Sequence, residues 1–324
     1  MRAEYLLADS SPKLAGLVAK NSQFFGLDNG KRWSVVECSD FNILGRIFNG
    51  ENVEPVLRQR KNIGFNMVRG FTRYDIPLIG KLRLEDHPDL YDRLPDAIQL
   101  INNHGLYVEL VAYTEVDDPN HWVRLGEALQ PVRNVVLLEF ANEWSINKDH
   151  YHHVHPDNYQ PIQGIICSHG SNGSGSIPVR PWWNYETAHW NAEFEWWRKV
   201  GHNAMEYSEV DCDDWYASHV PVLSNEDPRY PDNEQSLIHA YDAARGAALL
   251  CAGSCFHSVH GKNSTLWEGL ELNAAIEWSR GAHSIDLGCQ SGPYVHRQDL
   301  EGPNDLRVYE RPVENHFCIA KIRK

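Results

Sequence analysis

The sequence predicts an α/β fold, a (β/α)8 barrel in which eight parallel strands alternate with helices. Short runs rich in Val, Ile and Leu recur along the chain, as expected for strands that are buried on both faces of a parallel sheet. Segments with apolar residues at helical spacing separate many of these runs. Several runs end in polar residues, and the C-terminal ends of the strands are where such a barrel places its active site.

The chain begins with two weaker signals. Residues 11–20 carry a helical pattern, with Leu14, Leu17 and Val18 on one face. Residues 24–33 predict a β-hairpin, because Asn29-Gly30 is a preferred type I′ turn sequence. We expect this hairpin to plug the bottom of the barrel.

The barrel itself then follows from the alternation of strand and helix patterns. The eight strands are predicted at residues 33–38, 64–71, 105–113, 135–143, 164–169, 183–189, 220–226 and 254–259. The main helices are predicted at residues 51–62, 88–103, 120–129, 192–207, 235–251 and 271–280. Two alternating runs at 306–311 and 316–322 predict a short C-terminal β-hairpin. Without a convincing linker, residues 1–324 are expected to form one domain, with the barrel proper at about 33–281.

Composition excludes several classes of protein. The formal charge of −14 argues against a nucleic-acid or anionic-membrane partner, because phosphate groups require a basic surface. No apolar run approaches the roughly 20 residues of a membrane span. The N-terminus has no signal-peptide pattern, so a cytoplasmic location is expected unless another export route exists. The seven cysteines lack CxxC spacing and are expected to be free thiols.

The fourth predicted strand carries the clearest chemical signal. Its apolar run begins at Val135 and ends in Asn142-Glu143-Trp144. This pattern resembles clan A of the glycoside hydrolases, in which an Asn-Glu pair closes the fourth barrel strand. The resemblance implies that Glu143 is the acid/base and that Asn142 bonds the 2-hydroxyl of the substrate. The alternative is that the pair only caps the following helix.

Glu226 ends the seventh predicted strand, on the opposite side of the barrel mouth. Glycoside hydrolysis requires two carboxyl groups that flank one bond, and the resemblance implies that Glu226 is the nucleophile. The alternative is a loop carboxylate ahead of Pro228. Glu143 and Glu226 are therefore the predicted catalytic pair.

Further polar and aromatic residues complete the predicted substrate-binding set. Arg69 matches the arginine that the clan places near its nucleophile, although an ion pair with Glu139 inside the barrel would explain it equally well. His189 ends strand six, where many clan members place a His or Tyr that contacts the nucleophile, although a histidine at a strand end can also be purely structural. The nearby Tyr185 is a weaker candidate. Trp144 and Trp267 are candidate sugar-binding rings. Trp267 enters because strand eight lacks the tryptophan that many clan members carry there.

The sequence thus predicts a retaining glycosidase that acts on a β-linked glycan through a glycosyl-enzyme intermediate, with no cofactor and no metal. One alternative is a carbohydrate-binding barrel without activity. Another is a metal-dependent barrel hydrolase that uses the histidine-rich stretch 150–155, although this stretch lacks the helical pairing of zinc hydrolases. Sugar, linkage and oligomeric state are not indicated.

Overall fold

The computed structural model describes residues 14–19, 25–114, 116–144, 153–170, 183–189, 206–207, 222–229, 253–258 and 264–284, together with shorter pieces between 237 and 321. The strands, in chain order, are β1 (Leu17–Ala19), β2 (Phe25–Leu27), β3 (Arg32–Trp33), β4 (Val35–Ser39), β5 (Met67–Phe71), β6 (Tyr74–Ile76), β7 (Gly80–Leu82), β8 (Tyr107–Tyr113), β9 (Val136–Ala141), β10 (Ile166–Ser168), β11 (Glu186–His189), β12 (Glu206–Tyr207), β13 (Val222–Arg229), β14 (Gly253–Ser258), β15 (Val295–His296), β16 (Leu306–Arg311) and β17 (His316–Lys321). The helices in this part of the chain are α1 (Ile43–Phe48), α2 (Glu54–Ile63), α3 (Leu90–Asn103), α4 (His121–Leu129) and α5 (Gly269–His283).

Eight parallel strands form the central sheet, in the order β10-β9-β8-β5-β4-β14-β13-β11. A parallel bridge between Ser168 and Tyr185 links β10 to the residue that precedes β11, the strand at the other end of this order. The fold is therefore the predicted (β/α)8 barrel. All eight predicted barrel strands are present, and no strand boundary differs from the predicted one by more than three residues.

The helices form because apolar residues recur on the face that packs against the sheet. In α3, Leu90, Leu94, Ile98 and Ile101 are fully buried, as their spacing predicts. The helix α2 ends at Gly64, whose φ of 114° lies in the left-handed region that favours glycine. A continuous apolar layer results between the barrel and its helices.

A three-stranded antiparallel sheet of β1, β2 and β3 covers the N-terminal end of the barrel. Its side chains share a second apolar cluster with residues from the start of the barrel strands, which confirms the expected plug. The buried members of this cluster are Leu17, Phe25, Val35, Met67, Tyr107, Leu137, Tyr185 and Leu223.

Two local predictions in this region were wrong. Residues 17–19 form a strand rather than a helix, because Leu17 is buried against the barrel and its backbone pairs with Leu27. The hairpin turn is not type I′, since among its residues positive φ occurs only at Gly30 (85°). The amide of Gly30 donates to the carbonyl of Leu27, and the amide of Leu27 donates to that of Lys31, as in a type I turn with a glycine bulge.

At the C-terminus, β16 and β17 pair in antiparallel register from Leu306↔Lys321 to Arg311↔His316, which confirms the predicted hairpin. Two short strands extend it into a four-stranded sheet, β12-β17-β16-β15. Residues 206–207, predicted as the end of a helix, are the strand β12. The remainder of that predicted helix lies outside the described residues. Within the described part of the chain, no helix is long and apolar enough to cross a membrane.

A buried histidine at the start of α4, His121, is bonded to a tyrosine of α3 and to the threonine that follows β5. The hydroxyl of Tyr91 contacts His121 Nδ1 at 2.6 Å, and Thr72 Oγ1 lies 2.9 Å from Nε2. Thr72 donates its own proton to the carbonyls of Val111 and Ala112, so Nε2 carries the proton and Nδ1 accepts from Tyr91. Burial, assisted by the charge of Arg73, lowers the pKa of His121 to about 3.

This histidine predicts a pH dependence of stability. Since the pKa is about 3 in the folded state and roughly 6.5 in an unfolded chain, the unfolded state binds the proton more tightly. The stabilisation is complete above pH ~6.5 and is lost progressively as the pH falls toward ~3. The loss reaches roughly 3 kcal/mol at pH ~4. In His121→Gln, the free energy of unfolding should fall less steeply between these pH values, as measured by urea denaturation. A slope equal to that of the wild type would contradict this assignment.

Candidate active site

The end of β9 holds the asparagine and glutamate in a fixed position. The amide of Asn142 donates to the carbonyl of Tyr113 at 3.1 Å, which continues the β8–β9 ladder beyond the last residue of the strand. The side chain of Asn142 is 8% exposed, whereas Glu143 and Trp144 are half-buried. The polar residues therefore lie at the C-terminal mouth of the barrel, as the sequence predicts.

The backbone at Glu143 is strained. Its φ is 47°, in the left-handed region, where a side chain other than glycine costs about 1–2 kcal/mol. Residues held in such conformations cluster at functional sites, because the surrounding structure must stabilise them. Because the backbone turns at Glu143, directly after β9, its side chain leaves the chain in a different direction from that of a residue in an extended strand.

A β-bulge occurs in β13 at Asn225 and Glu226. Ser224 pairs with Ala188 on one side, and the next pair in that register is Glu226 with His189. On the other side, Ser224 pairs with Ser254, and the next pair is Asp227 with Phe256. Thus β13 carries one extra residue relative to both neighbours, and bulges of this kind are common beside active sites, where they re-aim side chains. The side chains of Glu226 and His189 lie outside the described residues.

Arg69 is fully buried inside the barrel and contacts several acceptors. Glu139 Oε2 accepts from Arg69 Nε at 3.0 Å and from Nη2 at 2.8 Å. Nη2 also donates to Asn142 Oδ1 at 2.7 Å, and Nε lies 3.4 Å from Glu109 Oε2. The ion pair with Glu139, one of the two interpretations of Arg69 from the sequence, is therefore present.

Tyr185 belongs to the same interior network. Its hydroxyl donates to Glu109 Oε1 at 2.7 Å, and the ring is fully buried. Burial, and after it the charge of Glu109, raises the pKa of Tyr185 well above its usual range, so the hydroxyl keeps its proton. Since the ring lies below the mouth and is bonded to Glu109, Tyr185 supports the site from within and leaves the set of substrate-contacting candidates.

A third interior glutamate has a different environment. Glu37 on β4 is fully buried, and neither of its carboxyl oxygens has a nitrogen or oxygen hydrogen-bond partner among the described residues. Burial and the charge of Glu109 raise the pKa of Glu37 well above its usual range, although Arg69 acts in the opposite direction. Burial therefore favours the neutral form of the Glu37 carboxyl group.

Trp267 is not available as a sugar-binding ring. Its side chain is 1% exposed, and the guanidinium carbon of Arg60 lies 3.3 Å from its ring centroid. Its backbone amide and carbonyl both bond to the side chain of Gln59 on α2. Because a sugar requires an open ring face, Trp267 is a structural contact between α2 and the segment after β14, and it leaves the candidate set.

Loops after β8 and β9 meet beside Trp144. Its ring packs edge-on against His155, with the centroids 4.6 Å apart, and the side chain of His153 contacts Asp117. Both histidines come from the histidine-rich stretch, of which residues 150–152 lie outside the described residues. Among the residues that the structure does describe, no group of three or more His, Cys, Asp or Glu side chains is arranged to hold a metal ion.

Sequence analysis missed Glu37, Glu109 and His257. His257, near the end of β14, is half-buried and packs against Phe41, which in turn stacks on Phe71 with the ring centroids 4.2 Å apart. A signal for the glutamates was present, since Val35-Val36-Glu37-Cys38 and Tyr107-Val108-Glu109-Leu110 each place a carboxyl group inside an apolar run. A carboxyl group buried in an apolar strand must either pair with a positive charge or take up a proton.

Comparison with solved structures finds glycoside hydrolase barrels. A glycoside hydrolase family 5 protein from Bacteroides vulgatus ATCC 8482 is 13% identical, with 91% of this chain and 79% of that chain covered and a TM-score of 0.55. A β-1,4-mannanase from the sea hare Aplysia kurodai is 10% identical, with 84% and 98% covered and a TM-score of 0.53. A β-mannanase from Streptomyces thermolilacinus, solved with mannohexaose, is 11% identical, with 85% and 97% covered and a TM-score of 0.51.

No protein-family model matches the sequence, and no curated protein matches it. At these low identities the likeness to solved structures shows the fold alone. The structural neighbours of this chain include glycoside hydrolases of family 5, (β/α)8 barrels of the clan that the Asn142-Glu143 pattern resembles.

The strain at Glu143 can be measured by a pair of substitutions. Because glycine adopts positive φ without a steric penalty, Glu143→Gly should unfold with a free energy about 1 kcal/mol higher than that of Glu143→Ala. The neighbouring Trp144, which does not have a positive φ, is the matched control. There the order should reverse, with Trp144→Gly less stable than Trp144→Ala by roughly 0.5–1 kcal/mol. Urea denaturation of the four variants provides the measurement, and the same order at both positions would refute the strain.

Proposed function

We propose that this protein is a retaining glycoside hydrolase that acts on a β-linked glycan, with Glu143 as acid/base and Glu226 as nucleophile. One observation carries the proposal. The strained Asn142-Glu143 turn after β9 and the bulge at Glu226 in β13 both lie at the C-terminal end of the same barrel. Two backbone irregularities at two carboxyl residues, at the end where such barrels carry their chemistry, support a catalytic pair.

The chemistry proceeds in two displacements. In the first, Glu143 donates its proton to the glycosidic oxygen while a carboxylate oxygen of Glu226 bonds to the anomeric carbon, and the leaving alcohol departs. In the second, Glu143 takes a proton from water, whose oxygen attacks the anomeric carbon and releases Glu226. Each displacement inverts the configuration, so the product retains that of the substrate. The two carboxyl groups should stand about 5–5.5 Å apart.

Neighbouring side chains would bind the sugar. Asn142 would donate a hydrogen bond to the hydroxyl next to the anomeric carbon, as the clan resemblance implies. Trp144 is half-exposed beside Glu143 and offers an aromatic surface to the part of the glycan that leaves. The formal charge of −14 favours a neutral glycan over a polyanionic one. Since the neighbours from Streptomyces thermolilacinus and Aplysia kurodai are named mannanases, a β-1,4-linked mannan is the first polysaccharide to test.

The stereochemistry of the product tests the reaction class. Proton NMR of an aryl β-glycoside digest should show the β-anomer of the sugar first, followed by mutarotation to the equilibrium mixture. Initial release of the α-anomer would instead indicate an inverting enzyme, with the carboxyl groups roughly 6.5–9.5 Å apart. Binding of mannan or another β-glycan without any cleavage would favour the alternative of a non-catalytic carbohydrate-binding barrel.

The roles of the two glutamates can be separated with an activated leaving group. Dinitrophenyl glycosides need little protonation, so Glu143→Ala should form the glycosyl-enzyme at close to the normal rate and then stall. Azide requires no general base, and it should restore turnover and yield a β-glycosyl azide. Glu226→Ala should be inactive on both activated and natural substrates, and any azide product should be the α-anomer.

The size of the effect also separates the roles. On natural glycans, Glu143→Ala should lose about 10²–10⁴-fold in kcat, the usual contribution of a general acid/base. Mass spectrometry and NMR of the reaction products identify the glycosyl azide. Full activity of Glu143→Ala on natural glycans would remove Glu143 from the mechanism.

A further inference from the structure

The amide of Asn142 is oriented by a group that can only donate. Arg69 has five N–H donors and no acceptor, and its Nη2 lies 2.7 Å from the Asn142 side chain. The amide atom that faces Arg69 must therefore be the oxygen Oδ1. Because the amide group is planar, its NH2 group is turned away from Arg69. Asn142 is thus fixed as a hydrogen-bond donor toward any group that binds on its other side.

Arg69 is in turn held by two carboxylates. Glu139 Oε2 accepts from both Nε and Nη2, and Glu109 Oε2 lies 3.4 Å from the same Nε. The other oxygen of Glu109 accepts a hydrogen bond from the hydroxyl of Tyr185, at 2.7 Å. A continuous chain of contacts leads from Tyr185, beside the bridge that links β10 and β11, through Glu109 and Arg69 to Asn142.

Burial makes these contacts strong. Arg69, Glu109 and Glu139 are all 0% exposed, and charge-assisted hydrogen bonds in a low-dielectric interior resist rearrangement more than those at a surface. The rotation of Arg69 away from Asn142 would break contacts with the carboxylates on the same guanidinium. The orientation of the Asn142 amide therefore depends on Glu139 and Glu109.

We propose that Glu109 and Glu139 are positioning residues, which hold Arg69 so that it presents Asn142 as a donor to the sugar hydroxyl next to the reacting carbon. This inference rests on the proposed function and extends it to residues that do not touch the substrate. Glu37 is the matched control. It is equally buried in the barrel, but neither of its oxygens has a nitrogen or oxygen hydrogen-bond partner in the described part of the chain.

The test compares Glu109→Gln, Glu139→Gln and Glu37→Gln on two substrates, a dinitrophenyl β-glycoside and its 2-deoxy counterpart. The 2-deoxy sugar has no hydroxyl for Asn142 to bind, so a fault in Asn142 orientation cannot slow it. For each variant, kcat/KM for the 2-hydroxy glycoside is divided by kcat/KM for the 2-deoxy glycoside. This ratio is then divided by the same ratio for the wild type, which cancels the difference in intrinsic reactivity between the two glycosides. We expect this ratio to fall about 10-fold in Glu109→Gln and Glu139→Gln. The fall is smaller than the roughly 10²–10³-fold cost of removing a transition-state hydrogen-bond donor, because Asn142 itself is still present. In Glu37→Gln the ratio should stay within about twofold.

A second readout does not depend on turnover. The side-chain amide signals of Asn142 in a ¹⁵N–¹H spectrum, assigned by their loss in Asn142→Asp, should shift in Glu109→Gln and Glu139→Gln and stay in place in Glu37→Gln. Equal slowing of both substrates by Glu109→Gln and Glu139→Gln, or an unshifted amide signal, would overturn the positioning role. If the wild type hydrolyses neither glycoside while the amide signals shift as expected, the proposed function fails and the positioning of Asn142 by the two glutamates stands.

Discussion

The structure depends on one buried charge, the guanidinium of Arg69 at the centre of the barrel. A charge of this kind is tolerated only where hydrogen bonds and opposite charges replace the water that it has lost. Glu139, Glu109 and Asn142 supply those bonds from β8 and from the strand and turn of β9. The same contacts connect the interior of the barrel to its mouth, so that the network that stabilises the guanidinium also orients an amide at the candidate site.

The interior is polar in the middle and apolar at the bottom. The plug of β1–β3 and the first residues of the barrel strands exclude water from the N-terminal end. Above this layer, the dry environment raises the pKa of Glu37 and keeps the hydroxyl of Tyr185 protonated. The apolar plug and the polar network therefore act together, because the strength of the charged contacts depends on the absence of solvent.

Much of the fold is encoded locally. Strands buried on both faces read as continuous apolar runs, and α3 shows its buried stripe directly in the spacing of its leucines and isoleucines. The weakest local signals are where prediction was wrong. Three apolar residues near Leu17 fit a helix as well as a strand, and only the neighbouring strand β2 and the open end of the barrel select the extended form. Likewise, the choice of turn at Asn29-Gly30 depends on how the hairpin seats on the barrel.

For the candidate site, the sequence by itself determined which polar residues end or interrupt the apolar strands: Asn142 and Glu143 after β9, Glu226 in β13, and Arg69 and Glu139 within their strands. The tertiary structure alone decided which of them touch. It joined Arg69 to Asn142 and to Glu109, strained the backbone at Glu143, and covered Trp267 with Arg60. The physical reason is that periodicity and polarity are properties of neighbours in the chain. The partner of a buried charge depends instead on the register between strands about 40 to 70 residues apart, which no local pattern records.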